Sequence, residues 1–270
     1  DLVDEDLRET VFDFPVVVNN NVLRFLDYYQ GRGRKMTEEA LRRSGRYLET
    51  FQEIFAEEGV PRDLVYMAHV ESLFKSRAYS RAHARGIWQF IAGTARLYDL
   101  EVGWWLDERL DFLKATRSAA RHLRDLKAEF GEWYLVLAAY NGGPGRVSRV
   151  LRRYGEMDYW TMASRRLLPR ETRNYVPSIL AAIIIYKNPQ KYGFNVEPDP
   201  PLEYDTVTVD YQVDLQVIAE SIGVAPQVIE DLNPELQRRV TPYDGESFSL
   251  KVPAGSADRV AQELTEIPPE

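Results

Sequence analysis

The chain contains no cysteine. That excludes disulfides, thiolate zinc sites and a cysteine nucleophile together. Histidine is nearly as scarce. His69, His83 and His122 are the only three, no two stand at metal-ligand spacing, and "HVESLF" lacks the second histidine of a zinc-protease helix. No run of about eighteen apolar residues occurs, so no stretch reads as a transmembrane helix. The longest apolar segment, "VPSILAAIIIYK", has the length of a buried helix. The opening "DLVDEDLRETVFDFP" lacks the basic-then-apolar form of a signal peptide. Positive charge is in deficit, and a net charge of −8 argues against a general nucleic-acid binder. Internal repeats and low-complexity tracts are absent as well.

What is present suits a globular protein. Of the 270 residues, 44% are hydrophobic and 28% charged, enough for one large domain or two modest ones. Aromatics are plentiful at 12%, with 16 Tyr and 5 Trp; such rings serve as core and also as platforms for sugars. Residues 1 to about 200 read as helix after helix. "TEEALRRSGRYLETFQEIFAEEG" predicts one long helix with Thr37 as N-cap and Gly59 as terminator. Pro61 opens the next helix, and further helices are expected over "LKATRSAARHLRDLKAEFG", "WYLVLAAYN" and Arg170 to Tyr186. "KSRAYSRAHARG" reads as a loop. The texture changes at "FNVEPDPPLEYD", where three prolines and four acids suggest a linker. After it, "TVTVDYQV" alternates as a strand should, "DLQVIAESIG" and "APQVIEDLN" read as short helices, and "ESFSLKVPAG" as a second strand. The last residues, "LTEIPPE", are expected to fray.

One acid stands out. In "MAHVESLF", Glu71 has Met67, Ala68, Phe74 and Lys75 as its helical neighbours, so it lies on or beside an inward face. Two readings stand at this point: an acid at the edge of the stripe, paired with Lys75 or Arg77, or a carboxyl kept deliberately in an apolar setting. "NGGPGRV" lacks the spacing of a phosphate loop and reads as a helix–helix corner, with Gly142 or Gly143 ending one helix and Pro144 opening the next. Asp107, Glu108 and Asp111 in "LDERLD" read as caps and ion-pair partners.

"VESLFKSRAYSRAHARGIWQF", "DERLDFLKAT", "LAAYNGGPGRV" and "LPRETRNYVPSIL" occur in the order, and at about the spacing, of the lysozyme-like lytic transglycosylases of bacterial cell walls. Residues 50 to 195 resemble that family. The resemblance implies a mainly α fold of the α+β lysozyme-like superfamily, with the catalytic domain at 51–197 and a helical extension at 1–50 packed on it. It implies cleavage of the β-1,4 bond between N-acetylmuramic acid and N-acetylglucosamine, closing a 1,6-anhydro ring, with Glu71 as sole catalytic acid and base and no metal or organic cofactor. Substrate-binding places fall to Ser72, Gln89, Tyr140, Asn141, Glu171 and Tyr175, with Tyr140 orienting Glu71 or the sugar and Trp88 left to the core. Asp99 stands where the family usually has glycine. The implied partner is the peptidoglycan glycan strand, in the periplasm or cell envelope, with membrane association through a lipid anchor outside this chain. A hydrolytic muramidase of the goose-lysozyme sort and a lapsed wall-binding protein remain as alternatives.

Residues 204–256, with "YQVDLQVIAESIGVAPQVIEDLNPEL" and "LKVP", resemble a LysM module. The usual Gly-Asp-Thr is missing, its place taken by Gln212 to Leu215. Sugar binding and bracing of the catalytic domain therefore stay open as roles for it.

Overall fold

The computed structural model describes residues 2–242 and 247–266. Its helices are α1 (Leu2–Glu9), α2 (Asn20–Gln30), α3 (Arg34–Ser44), α4 (Leu48–Glu57), α5 (Met67–Ser72), α6 (Ala92–Leu97) and α7 (Phe112–Phe130). They continue as α8 (Trp133–Gly142), α9 (Pro144–Tyr154), α10 (Tyr159–Ser164), α11 (Arg170–Lys187), α12 (Leu215–Ile222), α13 (Pro226–Leu232) and α14 (Ala257–Leu264). Strands β1 (Tyr204–Val209) and β2 (Phe248–Pro253) pair antiparallel, Tyr204 opposite Pro253. The fold is mainly α with one small sheet. No helix of the described residues is long and apolar enough to cross a membrane. The chain forms two compact units, each built from two stretches: 1–75 with 116–200, and 76–115 with 201–270.

In the first unit α11 is the central element. From Tyr175 to Tyr186 every residue is buried, and the helix packs against α2, α8 and α5. A helix apolar on all sides needs such wrapping. Pro177 lies inside it and has no N–H to offer the carbonyl four residues earlier, Arg173. The Tyr159 hydroxyl donates to that carbonyl instead, at 2.7 Å. A potential orphan is thereby satisfied from a neighbouring helix, and α11 continues through its proline.

Two expectations are corrected in this unit. The long helix through "TEEALRRSGRYLETF" is two helices, α3 and α4. They break at Gly45, where an added Cβ would land on the Asp199 carbonyl oxygen well inside van der Waals contact. Thr37 is not an N-cap; it lies within α3, which starts at Arg34, and its hydroxyl donates to the Gly33 carbonyl at 3.1 Å. The proline-rich segment carries no helix or strand at 194–203, as expected of a linker, and is held to the first unit at Asp199. The Asp199 amide donates to Arg42 O at 2.7 Å, and its carboxylate takes Arg42 at 2.5 Å and Arg46 at 2.8 Å.

The second unit joins the β-α-α-β segment, together with α14, to residues 76–115. Leu106 lies in one apolar core with Val207, Val209, Ile218, Ile229, Leu250 and Val252. The Asp107 amide donates to Glu235 O at 2.9 Å. Beneath this, the buried Lys251 ammonium reaches Asp111 and Glu235, each at 2.8 Å. Helix α14 was not expected. It is amphipathic, burying Val260 and Leu264 one turn apart. Residues 267 to 270, expected to fray, and Glu246, expected in the second strand, lie outside the described residues.

Several other local readings agree with the structure. Gly143 terminates α8 with φ of 88° and Pro144 opens α9. Asp107 caps the turn Glu108–Leu110, Glu108 pairs with Lys114, and Trp88 is fully buried.

Candidate active site

Helix α5 is six residues long and follows a 3₁₀ turn, Arg62–Tyr66, for which Pro61 is the N-cap. It stops abruptly. Leu73 and Phe74 both adopt left-handed backbone, with φ of 54° and 56°. Two successive non-glycine residues in that region store strain and need support from their surroundings. The Leu73 amide donates to His69 O at 3.0 Å and the Phe74 amide to Ala68 O at 3.2 Å. The Arg43 guanidinium donates to the Leu73 carbonyl, and the Phe74 ring is buried. Phe74 and Lys75 are thus off the helix rather than on its next turn, and Glu71 occupies its final turn.

Glu71 is half-buried as a residue, yet its carboxyl is enclosed enough for burial to dominate its chemistry. Burial pushes its pKa up to about 7; the Tyr175 hydroxyl acts in the opposite direction, and the nearby charge of Glu171 adds to the rise. That hydroxyl donates directly to Glu71 Oε1. Tyr175 is itself buried, and burial beside Glu71 holds its own proton far above the ordinary phenol range. No ion pair reaches Glu71 among the described residues. Arg77 donates instead to the Glu230 carbonyl at 2.8 Å. The reading of Glu71 as a paired acid at the edge of a stripe is therefore excluded.

The polar groups around this pair come from α8 and α11. Asn141 Nδ2 donates to Glu171 Oε1 at 3.3 Å, and Thr172 Oγ1 donates to Asn141 Oδ1 at 2.9 Å. These bonds fix the Asn141 amide from both ends. The Tyr140 ring packs against His122, centroids 5.2 Å apart, and Tyr140 lies close enough to bear on the ionisation of Tyr175. Ser72 is buried, with its hydroxyl donating to Ala68 O at 3.2 Å, which leaves its lone pairs for a further partner. His69, two residues before Glu71, is buried against Tyr29 and Tyr186. Burial pushes its pKa down to about 3, so it is a neutral packing group.

Six of the seven residues singled out from the sequence fall in the first unit. Gln89 lies in the second, at a left-handed position (φ 52°) where its side chain donates to Gly86 O at 2.8 Å. Sequence reasoning gave the role of orienting Glu71 to Tyr140; the hydroxyl found on Glu71 is Tyr175's. A buried tyrosine within an otherwise aliphatic helix was the available signal, since a phenol in a core needs a polar partner.

The description "Transglycosylase SLT domain" matches residues 49–163. The chain carries an SLT domain. A second match, the LysM-like domain of lytic transglycosylase MltD, covers residues 203–269. The chain is similar to membrane-bound lytic murein transglycosylase D of Escherichia coli K12, 32% identical over 211 residues, which covers 76% of this chain and 46% of that protein. It is also similar to an Alteromonas protein named for tributyltin chloride resistance, 38% identical over 93 residues, covering 34% of this chain and 45% of that one. The chain thus spans about half the length of these curated relatives. Among solved structures, the 70 kDa soluble lytic transglycosylase of Escherichia coli aligns at 25% identity and a TM-score of 0.45, covering 53% of this chain and 24% of that one. Glu71, Ser72, Gln89, Tyr140 and Asn141 lie inside the SLT match. Glu171 and Tyr175 lie beyond its end, although both act on Glu71.

Proposed function

We propose that this SLT-domain chain is a lytic transglycosylase of the bacterial cell envelope, acting on peptidoglycan glycan strands. It cleaves the β-1,4 bond from N-acetylmuramic acid to N-acetylglucosamine. The observation that carries this reading is the Glu71 carboxyl, held by Tyr175 and pushed to about 7 by burial. Near neutral pH such a group is part protonated and part ionised, as one residue serving as acid and then base requires.

Protonated Glu71 gives its proton to the glycosidic oxygen as the bond from C1 breaks, and the N-acetylglucosamine leaves as an alcohol. The resulting carboxylate takes the proton from the C6 hydroxyl of the muramic residue, whose oxygen bonds to C1 and closes the 1,6-anhydro ring. Atoms balance without water. Tyr175 holds Glu71 in one orientation through both steps. Ser72, Tyr140, Asn141 and Glu171 bind the glycan, Asn141 being set by Glu171 and Thr172. The same role for Gln89 rests on the resemblance alone. The SLT match, the MltD-type LysM-like match and the chain's similarity to the Escherichia coli enzyme support the substrate class.

A second reading draws on the Glu171 charge felt at Glu71. A second carboxylate beside the acid is the arrangement of a hydrolase that activates water. Mass spectrometry of muropeptides released from purified sacculi separates the two. Anhydromuramic ends are expected; reducing ends as the main product would establish hydrolysis.

A further inference from the structure

Two adjacent tryptophans in the second unit have no role in this chemistry. Trp104 is 62% exposed and Trp105 46%. In an extended segment neighbouring side chains point to opposite faces, so one of such a pair is normally buried. Here neither is. They lie at the tip of a tight turn closed by the Gly103 amide on Leu106 O at 2.8 Å and by the Val102–Asp107 bridge. The turn is anchored immediately behind them by Leu106 in the apolar core. Their rings stand 4.8 Å apart and perpendicular, at 88°. Flat, rigid apolar faces are being presented from a fixed base.

A cation completes the arrangement. The Arg238 guanidinium sits 3.5 Å from the centre of the Trp104 ring. It is brought there because Leu236 bridges Leu106 and the Gln237 amide donates to Trp105 O at 2.8 Å. Arg238 stacks on Trp104 and makes no ion pair among the described residues. We infer that Trp104, Trp105 and Arg238 form an accessory glycan platform, which stacks the apolar faces of acetylated amino sugars on the indoles and pairs a carboxylate of the strand's stem peptides with Arg238. The identity of the ligand rests on the proposed substrate, whose stem peptides carry carboxylates. The platform draws its rings from the SLT match and its cation from the LysM-like match. It thus supplies a sugar surface in a module that lacks the usual Gly-Asp-Thr.

The test is binding by the full chain carrying Glu71→Gln, so that substrate persists, to purified sacculi and to soluble un-crosslinked glycan strands. Trp104→Ala and Arg238→Glu are each expected to weaken binding about tenfold or more, as loss of an aromatic or arginine anchor does. Trp104→Ala should also weaken binding of chitooligosaccharides, which bear no carboxylate, whereas Arg238→Glu should leave it unchanged. In the Glu71 chain neither substitution should alter cleavage of short soluble fragments. Binding equal to the parent, or a loss that tracks a fallen melting temperature, overturns the platform. Failure of the proposed activity is read separately, from the muropeptide ends of the unsubstituted chain.

Discussion

The Tyr175 hydroxyl donates its hydrogen bond to Glu71 Oε1, joining residues 104 positions apart. The bond favours the ionised carboxyl, whereas burial and the Glu171 charge favour the neutral one. Because the acid form starts the reaction, kcat/KM is expected to fall as pH rises through about 7. Tyr175→Phe removes the opposing influence, so the alkaline limb should move to higher pH. Glu171→Gln removes a negative neighbour, and the limb should move to lower pH. Opposite displacements in pH–rate profiles check this assignment; limbs that stay in place in both variants would refute it.

Glu71→Gln should abolish turnover, since glutamine cannot give a proton to the leaving oxygen or accept one from a hydroxyl. Its effect on stability has the opposite sign and depends on pH. The carboxyl titrates near 4.5 when unfolded and near 7 in the fold. The native state therefore holds the proton more tightly, and the benefit of the neutral acid is complete below 4.5 and lost as pH rises through about 7. Relative to the parent, the Gln variant should gain about 1–3 kcal/mol at pH 8 and little at pH 4. Denaturant unfolding at the two pH values measures it.

Lys251→Met should cost about 3–5 kcal/mol, because it leaves Asp111 and Glu235 buried together without their cation. Burial and the neighbouring Asp111 already hold the Glu235 carboxyl above the usual range. The deficit should shrink at acid pH as the stranded pair takes up protons. A variant as stable as the parent at neutral pH would show that the ammonium contributes nothing net.

Gly45→Ala should destabilise the first unit by about 1–3 kcal/mol, since the new methyl meets the Asp199 backbone and the stiff Pro198 ring rather than a yielding side chain. Freed from Gly45, Asp199 would lose its bonds to Arg42 and Arg46. Thermal unfolding measures the loss, and increased protease cleavage around residue 199 locates it.

The patterns that survived folding are those written locally. The apolar run of α11, the alternation of β1, the Gly143–Pro144 corner and the lone acid at Glu71 all rest on neighbours within one or two turns. What was missed depends on distant partners. Gly45 looks like a tolerated helix glycine until Asp199 is packed on it. Tyr175 looks like core until Glu71 arrives, and the short stripe of α14 acquires meaning only against the second core. Asp99 falls between these cases. Its departure from the family's glycine was visible, and its φ of 60° supplies the reason glycine is usual there.

Each unit is stitched from two separated lengths of chain, and a ribosome delivers those lengths in a fixed order. Residues 76–115 emerge well before their partners at 201–270 exist. Leu106 must then wait without Val207 and Leu250, and Asp111 without Lys251, while 116–200 return to complete the first unit around a looped-out insert. A nascent chain halted near Pro200 would hold a finished first unit and an unfinished second. Residues 201–270 are made after the stretch they enclose, and their arrival lets residues 76–115 find their native partners.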